Sequence, residues 1–159
     1  MIPYERLAER EEALGKVLSG GDVLDFDETA IRFLPDSTLL ADTGAARKSL
    51  SHVIDYMLDH PDFELLICGT TASAESRDSC IAFSEKRAEA IREILLNAGI
   101  GGDRVHTLGY GYSSPLYIPD RDGEGVLDER VAPQNRSVKL VDRRADTAAE
   151  IINGLSLVG

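Results

Sequence analysis

The clearest pattern of hydrophobic and polar positions covers residues 64–99. A short apolar run, residues 65–68, is typical of a strand that is buried in a sheet. A polar stretch follows, and apolar residues then recur at intervals of three and four, a spacing that places them on one face of an α-helix. The pattern predicts a buried strand, a polar loop and an amphipathic helix.

Arg87 interrupts the apolar stripe of this helix. At 100° per residue it lies in the middle of the stripe, and five apolar residues fall within about 40° of it: Cys80, Phe83, Ile91, Ile94 and Ala98. Burying a guanidinium without a partner costs several kcal/mol. The pattern therefore indicates that Arg87 faces either an acidic residue of its own chain or a pocket that accepts an anion.

The remainder of the chain predicts further strands and helices. We expect strands over residues 23–26, 29–34, 63–69, 104–109 and 135–141, a helix over 42–60 and a short helix near 147–152. Residues 4–18 have the pattern of a charged helix, which is either a linker or docking helix or a helix packed on its own domain. A long polar connection, residues 116–134, is the expected rim of any binding cleft.

These elements predict an α/β sandwich. Its core is βαβαβ with a closing strand, in which helices cover one face of a mixed sheet. We divide the chain into an N-terminal linker or docking helix (1–22), a folded domain (23–144) and a C-terminal tail (145–159). One face of the sheet is left without predicted cover.

Charge narrows the range of partners. The chain of 159 residues has 17 basic and 28 acidic residues, for a formal net charge of −11. The phosphates of nucleic acids and anionic membrane surfaces would be repelled, so neither is an expected partner. The sequence lacks the roughly 20 consecutive apolar residues of a membrane span, and its start lacks the pattern of a signal peptide. The chain is therefore either cytoplasmic or a piece of a longer protein.

Few residues suggest chemistry of their own. Cys68 and Cys80 either form a disulfide across the intervening loop or remain two reduced thiols. No histidine lies at metal spacing from them, and the acidic residues around Asp120 lack the order of a calcium loop, so no metal or cofactor is expected. His52 and His60 are expected at the surface. No nucleophile and base stand out as a pair, so an enzyme is not expected.

Five blocks of the sequence, in their order and spacing, resemble one known family. They are residues 68–71, 83–88, 99–100, 108–111 with Pro115, and 132–138, and residues 32–40 are similar to a further block of the same pattern. Together they resemble the OmpA-like domain, which includes the Pal lipoproteins and part of flagellar stator proteins. The resemblance covers about residues 30–142 and implies a non-catalytic module of the cell envelope that binds peptidoglycan.

The resemblance also implies a ligand site. In the family, an Asp in the turn after a strand and an Arg on the next helix hold the diaminopimelate of a wall peptide. The Arg is present as Arg87, but Ala72, fifteen residues earlier, replaces the Asp; Thr70 replaces a His and Cys80 an Asn. The candidate ligand-binding residues are Gly69, Thr70, Thr71, Ala72, Cys80 and Arg87, and Asn135 and Arg136 resemble structural residues of the family motif.

Two functions stay open at this point. In the first, the domain binds a peptidoglycan stem peptide, more weakly because two ligand groups are replaced. In the second, Glu75 or Asp78 neutralises Arg87, and a ligand-less scaffold mediates protein contacts in an envelope or stator-like assembly. The expected partners are peptidoglycan, envelope proteins and a second copy of the chain. The resemblance favours a periplasmic or otherwise extracytoplasmic location, with a signal or anchor upstream of Met1.

Overall fold

A five-stranded mixed sheet forms the centre of the protein. The computed structural model describes residues 2–3, 23–28, 30–34, 37–74, 76–113 and 116–158. In chain order, the strands are β1 (Ile2–Pro3), β2 (Leu24–Phe26), β3 (Leu65–Thr70), β4 (Val105–Gly111) and β5 (Ser137–Asp142). They lie side by side in the order β1-β2-β5-β3-β4. β3 and β4 are parallel, and β5 is antiparallel to both β2 and β3. The predicted mixed sheet is confirmed.

Helices connect and cover the strands. They are α1 (Thr43–Ser49), α2 (Ser51–Asp59), α3 (Arg77–Asn97), the short α4 (Ala132–Asn135) and α5 (Asp146–Val158), and a 3-10 turn spans Gly102–Arg104. α3 links the parallel strands β3 and β4, as a crossover connection must. The single helix predicted over residues 42–60 is divided at Leu50, where the backbone departs from helical geometry (φ −91°, ψ 1°). The helix predicted over residues 4–18 lies outside the described residues.

The sheet has an apolar core on each face. Successive residues of a strand alternate between the faces, so Ile67 of β3 belongs to the core beneath α1, α2 and α3, whereas Cys68 belongs to the core beneath α5. α5 contributes the buried residues Ala148 and Ile151 to this second core. The predicted fold class is confirmed, and the segment expected as a tail adds a 13-residue helix on the second face.

The segment after β2 departs from the sequence prediction. Residues 29–34 are predicted as a strand, but β2 ends at Phe26 and the chain turns back at once. The Asp27 carboxylate accepts a hydrogen bond from the backbone N–H of Ala30 at 3.1 Å, and such a turn competes with strand pairing. Phe33 then forms an isolated bridge with Leu40. The predicted strand is wrong, and this segment instead forms a wall of the site described below.

The two thiols are free, so the second of the two alternatives, a pair of reduced thiols, is the one observed. Cys68 is fully buried in the core beneath α5, whereas Cys80 is half-buried on α3, which packs on the opposite face. A strand residue and its neighbour point to opposite faces, so the position of Cys68 along β3 directs its thiol away from Cys80.

Two glycines allow α3 to approach the sheet closely. A Cβ placed on Gly69 of β3 would lie 2.0 Å from the carbonyl oxygen of Ser84, and one on Gly109 of β4 would lie 2.3 Å from that of Ile81. Only a residue without a side chain fits at these distances. This contact fixes the N-terminal half of α3 against the ends of β3 and β4.

Candidate functional site

A cavity of about 1260 Å³ opens beside the N-terminal half of α3, and we call it the Arg87 cavity. Five parts of the chain line it: the end of β2 with the segment that follows, the turn after β3, the first turns of α3, Leu127 of the long connection after β4, and the start of β5 with the residue before it. Pockets for small organic ligands measure roughly 300–1000 Å³, so this cavity can hold the end of a peptide. Its apolar lining residues are Phe26, Ile31, Phe33, Leu34, Ala41, Ala72, Ala74, Cys80, Phe83, Leu127 and Val138.

Arg87 lines this cavity and contacts two aromatic rings. Its Cζ atom lies 4.6 Å from the ring centroid of Phe33 and 4.5 Å from that of Phe83. Its Nε donates a hydrogen bond of 2.9 Å to the carbonyl oxygen of Ser37. A cation–π contact is worth about 0.5–1 kcal/mol at an exposed site and about 2 kcal/mol when water is excluded. These three contacts fix the orientation of the guanidinium.

Asp78 is not the partner of Arg87. It is exposed in the first turn of α3, nine residues before Arg87. At 1.5 Å per residue this separation is about 13.5 Å along the helix axis, which is too far for an ion pair. Glu75, the other acid considered from the sequence, lies outside the described residues.

The buried stripe of α3 is not centred on Arg87. At 100° per residue, the mean direction of the buried residues lies about 50° from Arg87. The half-buried Arg87 therefore lies at the edge of the stripe, whereas the sequence predicts that it lies in the middle. Small residues explain the difference, because they pack closest to the sheet and a pattern of large apolar side chains omits them. The buried residues of α3 are Ser84, Ala88, Ile91, Ile94 and Leu95.

The charge of the cavity is opposite to that of the protein. Arg32, Arg87 and Arg136 line it, and Glu28 is the only acidic residue among its described lining residues. Arg136 also forms an ion pair of 3.3 Å with Glu129, outside the lining. In a chain with a net charge of −11, this concentration of guanidinium groups gives a local site for an anion. The sequence predicts Arg136 only as a structural residue, and it does not predict Arg32 as a residue of the site.

The turn after β3 is held by its own chain. Asp120 accepts hydrogen bonds from the backbone N–H (2.9 Å) and the hydroxyl (2.5 Å) of Ser73. Arg121 donates from Nε to the Ser73 hydroxyl oxygen (2.9 Å) and from Nη2 to its carbonyl oxygen (3.0 Å). The backbone N–H of Thr71 donates to the Gly111 carbonyl oxygen at 2.8 Å. These groups of the turn therefore serve the fold.

Asp120 is a buried carboxylate that the sequence does not identify. Besides Ser73, it accepts hydrogen bonds from the Tyr117 hydroxyl (2.6 Å) and the Asn135 side-chain amide (3.1 Å). Burial by itself raises the pKa of Asp120, but the hydrogen bonds from Ser73, Tyr117 and Asn135 outweigh it, and the pKa lies below its ordinary value. The residue lies in an acidic, polar connection that resembles a solvated loop, so no local signal marks its burial.

The structure brings some of the predicted site residues together and separates others. Thr71, Ala72, Cys80 and Arg87 line the cavity, and the buried hydroxyl of Thr71 has no hydrogen-bond partner among the described residues. Gly69 faces the backbone of Ser84. Thr70 turns its hydroxyl to Ser137 (3.1 Å) and to the buried ammonium of Lys139 (3.1 Å). Gly69 and Thr70 thus serve the packing of β3. The two residues that are predicted as structural differ from each other in their surroundings. Asn135 is buried in the Asp120 network, whereas Arg136 lines the cavity.

The described part of the chain lacks the features of two other kinds of site. It contains no group of three or more His, Cys, Asp or Glu side chains arranged to hold a metal ion. Within the same residues, no helix has the length and apolar character needed to cross a membrane. Arg32, Arg87 and Arg136 line the Arg87 cavity, so what the arrangement offers chemically is the binding of an anion.

The sequence matches a family model over residues 32–125, more than half of the chain, and the model is that of the OmpA family. The chain belongs to the OmpA family. It is 32% identical over 75 residues to the sodium-type flagellar protein MotY of Vibrio parahaemolyticus, covering 46% of this chain and 26% of that protein. It is 30% identical over 93 residues to the peptidoglycan-associated lipoprotein of Legionella pneumophila, covering 58% and 49%. The chain thus spans half or less of the length of these relatives.

Solved structures agree with this OmpA-family fold. A putative MotB-like protein from Desulfovibrio vulgaris superposes with a TM-score of 0.63 over 89% of this chain and 99% of the other, at 19% identity. The peptidoglycan-associated lipoprotein from Burkholderia pseudomallei superposes with a TM-score of 0.54 over 70% and 87%, at 29% identity. The likeness to the first shows the fold alone, and the likeness to the second extends to the sequence.

Proposed function

We propose that this OmpA-family domain is a non-catalytic module of the cell envelope whose Arg87 cavity binds a carboxylate of a peptidoglycan stem peptide. Arg87 forms the charge-assisted contact, and Arg32 and Arg136 add positive charge around it. The apolar walls contact the body of the peptide, and the connection between β4 and α4 contributes Leu127 as part of the rim.

One observation carries the proposal: among the described lining residues of a large cavity, three are arginines and one is a glutamate, in an otherwise acidic protein. A guanidinium that contacts Phe33 and Phe83 and donates to Ser37 is oriented before a ligand arrives, which reduces the entropy lost on binding. Arginine presents five N–H donors and pairs with carboxylates through two parallel hydrogen bonds. The site therefore favours a carboxylate over a neutral sugar.

The relatives support the same function. The names of those from Legionella pneumophila and Burkholderia pseudomallei state that they are associated with peptidoglycan. An extracytoplasmic location and an anchor upstream of Met1 follow from the proposed function and belong to it. The domain spans 49% of the Legionella protein, so any further partners of the complete protein belong to the proposal as well.

A second candidate is a scaffold that has lost its ligand. Ala72 and Cys80 replace two of the residues that the family resemblance expects at the site, and Arg87 already donates to Ser37 of its own chain. In this alternative the cavity is a feature of the family fold that no longer binds a ligand. The domain then acts through protein contacts in an envelope or stator-like assembly, including contacts with a second copy.

Co-sedimentation with purified peptidoglycan sacculi tests the proposal. We expect the wild-type chain to pellet and Arg87→Ala to lose affinity by roughly 10- to 150-fold, because a charge-assisted contact is worth about 1.5–3 kcal/mol. Arg47→Ala is the matched control, since it removes the same charge from an exposed position of α1 outside the lining of the cavity.

Two outcomes would contradict the proposal. Equal pelleting of Arg87→Ala and Arg47→Ala would show that the cavity is not the binding site. A wild-type chain that stays in the supernatant at all sacculus concentrations would leave the scaffold as the better explanation. Circular dichroism of each variant verifies that a loss of pelleting does not reflect unfolding.

A further inference from the structure

We infer that Arg121 is a positioning residue of the Arg87 cavity and that it acts by joining two of the cavity walls. One wall is the turn after β3, residues 71–74, and the other is the hairpin of residues 121–127, whose Leu127 lines the cavity. Arg121 is not among the described lining residues, so it acts through its neighbours. This inference rests on the proposed function, because the walls need fixed positions only if the cavity binds a ligand.

The hydrogen bonds of Arg121 reach both walls. Its Nε donates to the Ser73 hydroxyl oxygen at 2.9 Å, and its Nη2 donates to the Ser73 carbonyl oxygen at 3.0 Å. Its Nη1 donates to the carbonyl oxygen of Gly125 at 2.9 Å. A guanidinium is planar and holds its N–H groups in a fixed geometry. The three contacts therefore fix the position of Ser73 relative to the hairpin.

The hairpin is held together by its own hydrogen bonds. The Asp122 carboxylate accepts from the backbone N–H groups of Glu124 (2.8 Å) and Val126 (3.0 Å). The backbone N–H of Asp122 donates to the carbonyl oxygen of Val126 at 2.9 Å. Arg121 and Leu127 lie opposite each other in an antiparallel bridge. Because the hairpin is tied in this way, the contacts of Arg121 also position Leu127 in the cavity lining.

Asp120 and Arg121 hold the same turn in different surroundings. Asp120 is buried, so its hydrogen bonds contribute to the stability of the fold. Arg121 is exposed, and polar contacts at exposed positions change the free energy of unfolding little. Walls that are fixed before a ligand arrives reduce the entropy lost on binding. Loss of the Arg121 contacts should therefore weaken binding and leave the stability of the fold nearly unchanged.

Arg121→Lys in the full chain tests this inference, because it keeps the positive charge and removes the planar guanidinium. A lysine ammonium cannot reproduce the three contacts to Ser73 and Gly125. In co-sedimentation with purified sacculi we expect Arg121→Lys to bind roughly 2- to 10-fold more weakly than the wild type, with an unchanged midpoint of urea unfolding. Arg130→Lys is the matched control, since Arg130 is exposed in the same connection and its side chain pairs with Asp128.

A second variant identifies the contact that matters. Ser73→Ala removes the hydroxyl that accepts from Arg121. If the two residues act through this contact, the double variant Ser73→Ala with Arg121→Lys should lose less affinity than the product of the two single losses. A loss equal to that product would contradict a shared role.

A measurement without ligand tests the joining of the walls directly. Ala72, Ala74 and Leu127 carry methyl groups and line the cavity, and NMR order parameters of these methyl groups report their motion on the picosecond to nanosecond timescale. We expect Arg121→Lys to lower these order parameters and Arg130→Lys to leave them at the wild-type values.

The outcomes separate this inference from the proposed function. Equal affinity of Arg121→Lys and the wild type for sacculi, with Arg87→Ala still weakened, would overturn the inference and leave the proposed function standing. A loss of affinity that is matched by a loss of stability would reduce Arg121 to a structural residue and overturn it as well. Unchanged order parameters in Arg121→Lys would overturn it whether or not the wild type pellets. A wild type that does not pellet would overturn the proposed function, and with it the role of Arg121 in binding.

Discussion

At the scale of single residues, Arg87 shows how a charge can be kept half-buried. Two aromatic rings and one carbonyl oxygen contact its guanidinium. Phe83 precedes Arg87 by four residues on α3, a spacing visible in the sequence because such residues lie on one face. Phe33 lies 54 positions away, and only the fold brings it to the guanidinium.

Asp120 gives a prediction at this scale. Asp120→Asn should destabilise the fold by about 3 kcal/mol at pH 7, because it weakens charge-assisted hydrogen bonds to a buried group. The pKa of this carboxyl is lowered in the folded state, so its contribution is complete above the ordinary value of 3.8 and is lost as the pH falls through the folded-state pKa. Urea unfolding at pH 7 and at progressively lower pH measures both effects.

Asp55→Asn is the control for this experiment, since Asp55 is exposed on α2. The difference between Asp120→Asn and the wild type should shrink toward acid pH, whereas the control should stay within about 0.5 kcal/mol of the wild type. A difference for Asp120→Asn that is constant from neutral to acid pH would show that the carboxylate charge is not what stabilises the turn.

At the scale of elements, the contact between α3 and the sheet positions the site. Gly69 and Gly109 let the helix backbone approach β3 and β4 more closely than any side chain would permit. Arg87 and Cys80 lie on the same helix, and Thr71 and Ala72 follow directly from β3. A change in the distance between β3 and α3 therefore changes the two sides of the Arg87 cavity relative to each other.

Gly69→Ala tests this contact. Because the new Cβ would lie 2.0 Å from the Ser84 carbonyl oxygen, the helix and the strand must separate, and we expect a loss of about 2–3 kcal/mol in the free energy of unfolding. Gly123→Ala is the matched control, since a Cβ there would meet nothing within 4 Å. Denaturant unfolding of both variants measures the difference. Equal stability of the two would contradict the close approach.

At the scale of the whole molecule, ionisable groups buried in the second core determine the stability at alkaline pH. Burial raises the pKa of the Cys68 thiol to about 12, from 9.0, and that of Tyr110 to about 12, from 10.0. The unfolded chain therefore releases these protons first, and stability should fall as the pH rises above 9. Burial lowers the pKa of Lys139, which acts in the opposite direction as the pH approaches 10.5.

Cys68→Ala isolates the thiol contribution. Three pKa units at about 1.36 kcal/mol each correspond to about 4 kcal/mol that the wild type loses between pH 9 and 12. The variant should therefore show a shallower fall of unfolding free energy from pH 8 to 11, whatever its stability at pH 7. Cys80→Ala is the control for removal of a thiol. An unchanged slope in Cys68→Ala would contradict a neutral, buried thiol in the folded state.

The sequence by itself determined the sheet-and-helix architecture and the presence of a charged residue on the packed side of α3. It could do so because local periodicity directs side chains to one face of a helix or strand. That Ala72 and Cys80 replace ligand groups of the family stays a prediction from the resemblance.

Only the tertiary structure decided what each polar group contacts. Ser73 meets Asp120, 47 residues away, and Arg87 meets Ser37, 50 residues away. The sequence contains no local signal for such pairs, because the partners come together only when β3, β5 and the long connections are packed. The same reason explains why Cys68 and Cys80 remain apart and why residues 31–34 form a wall of the cavity and not a strand.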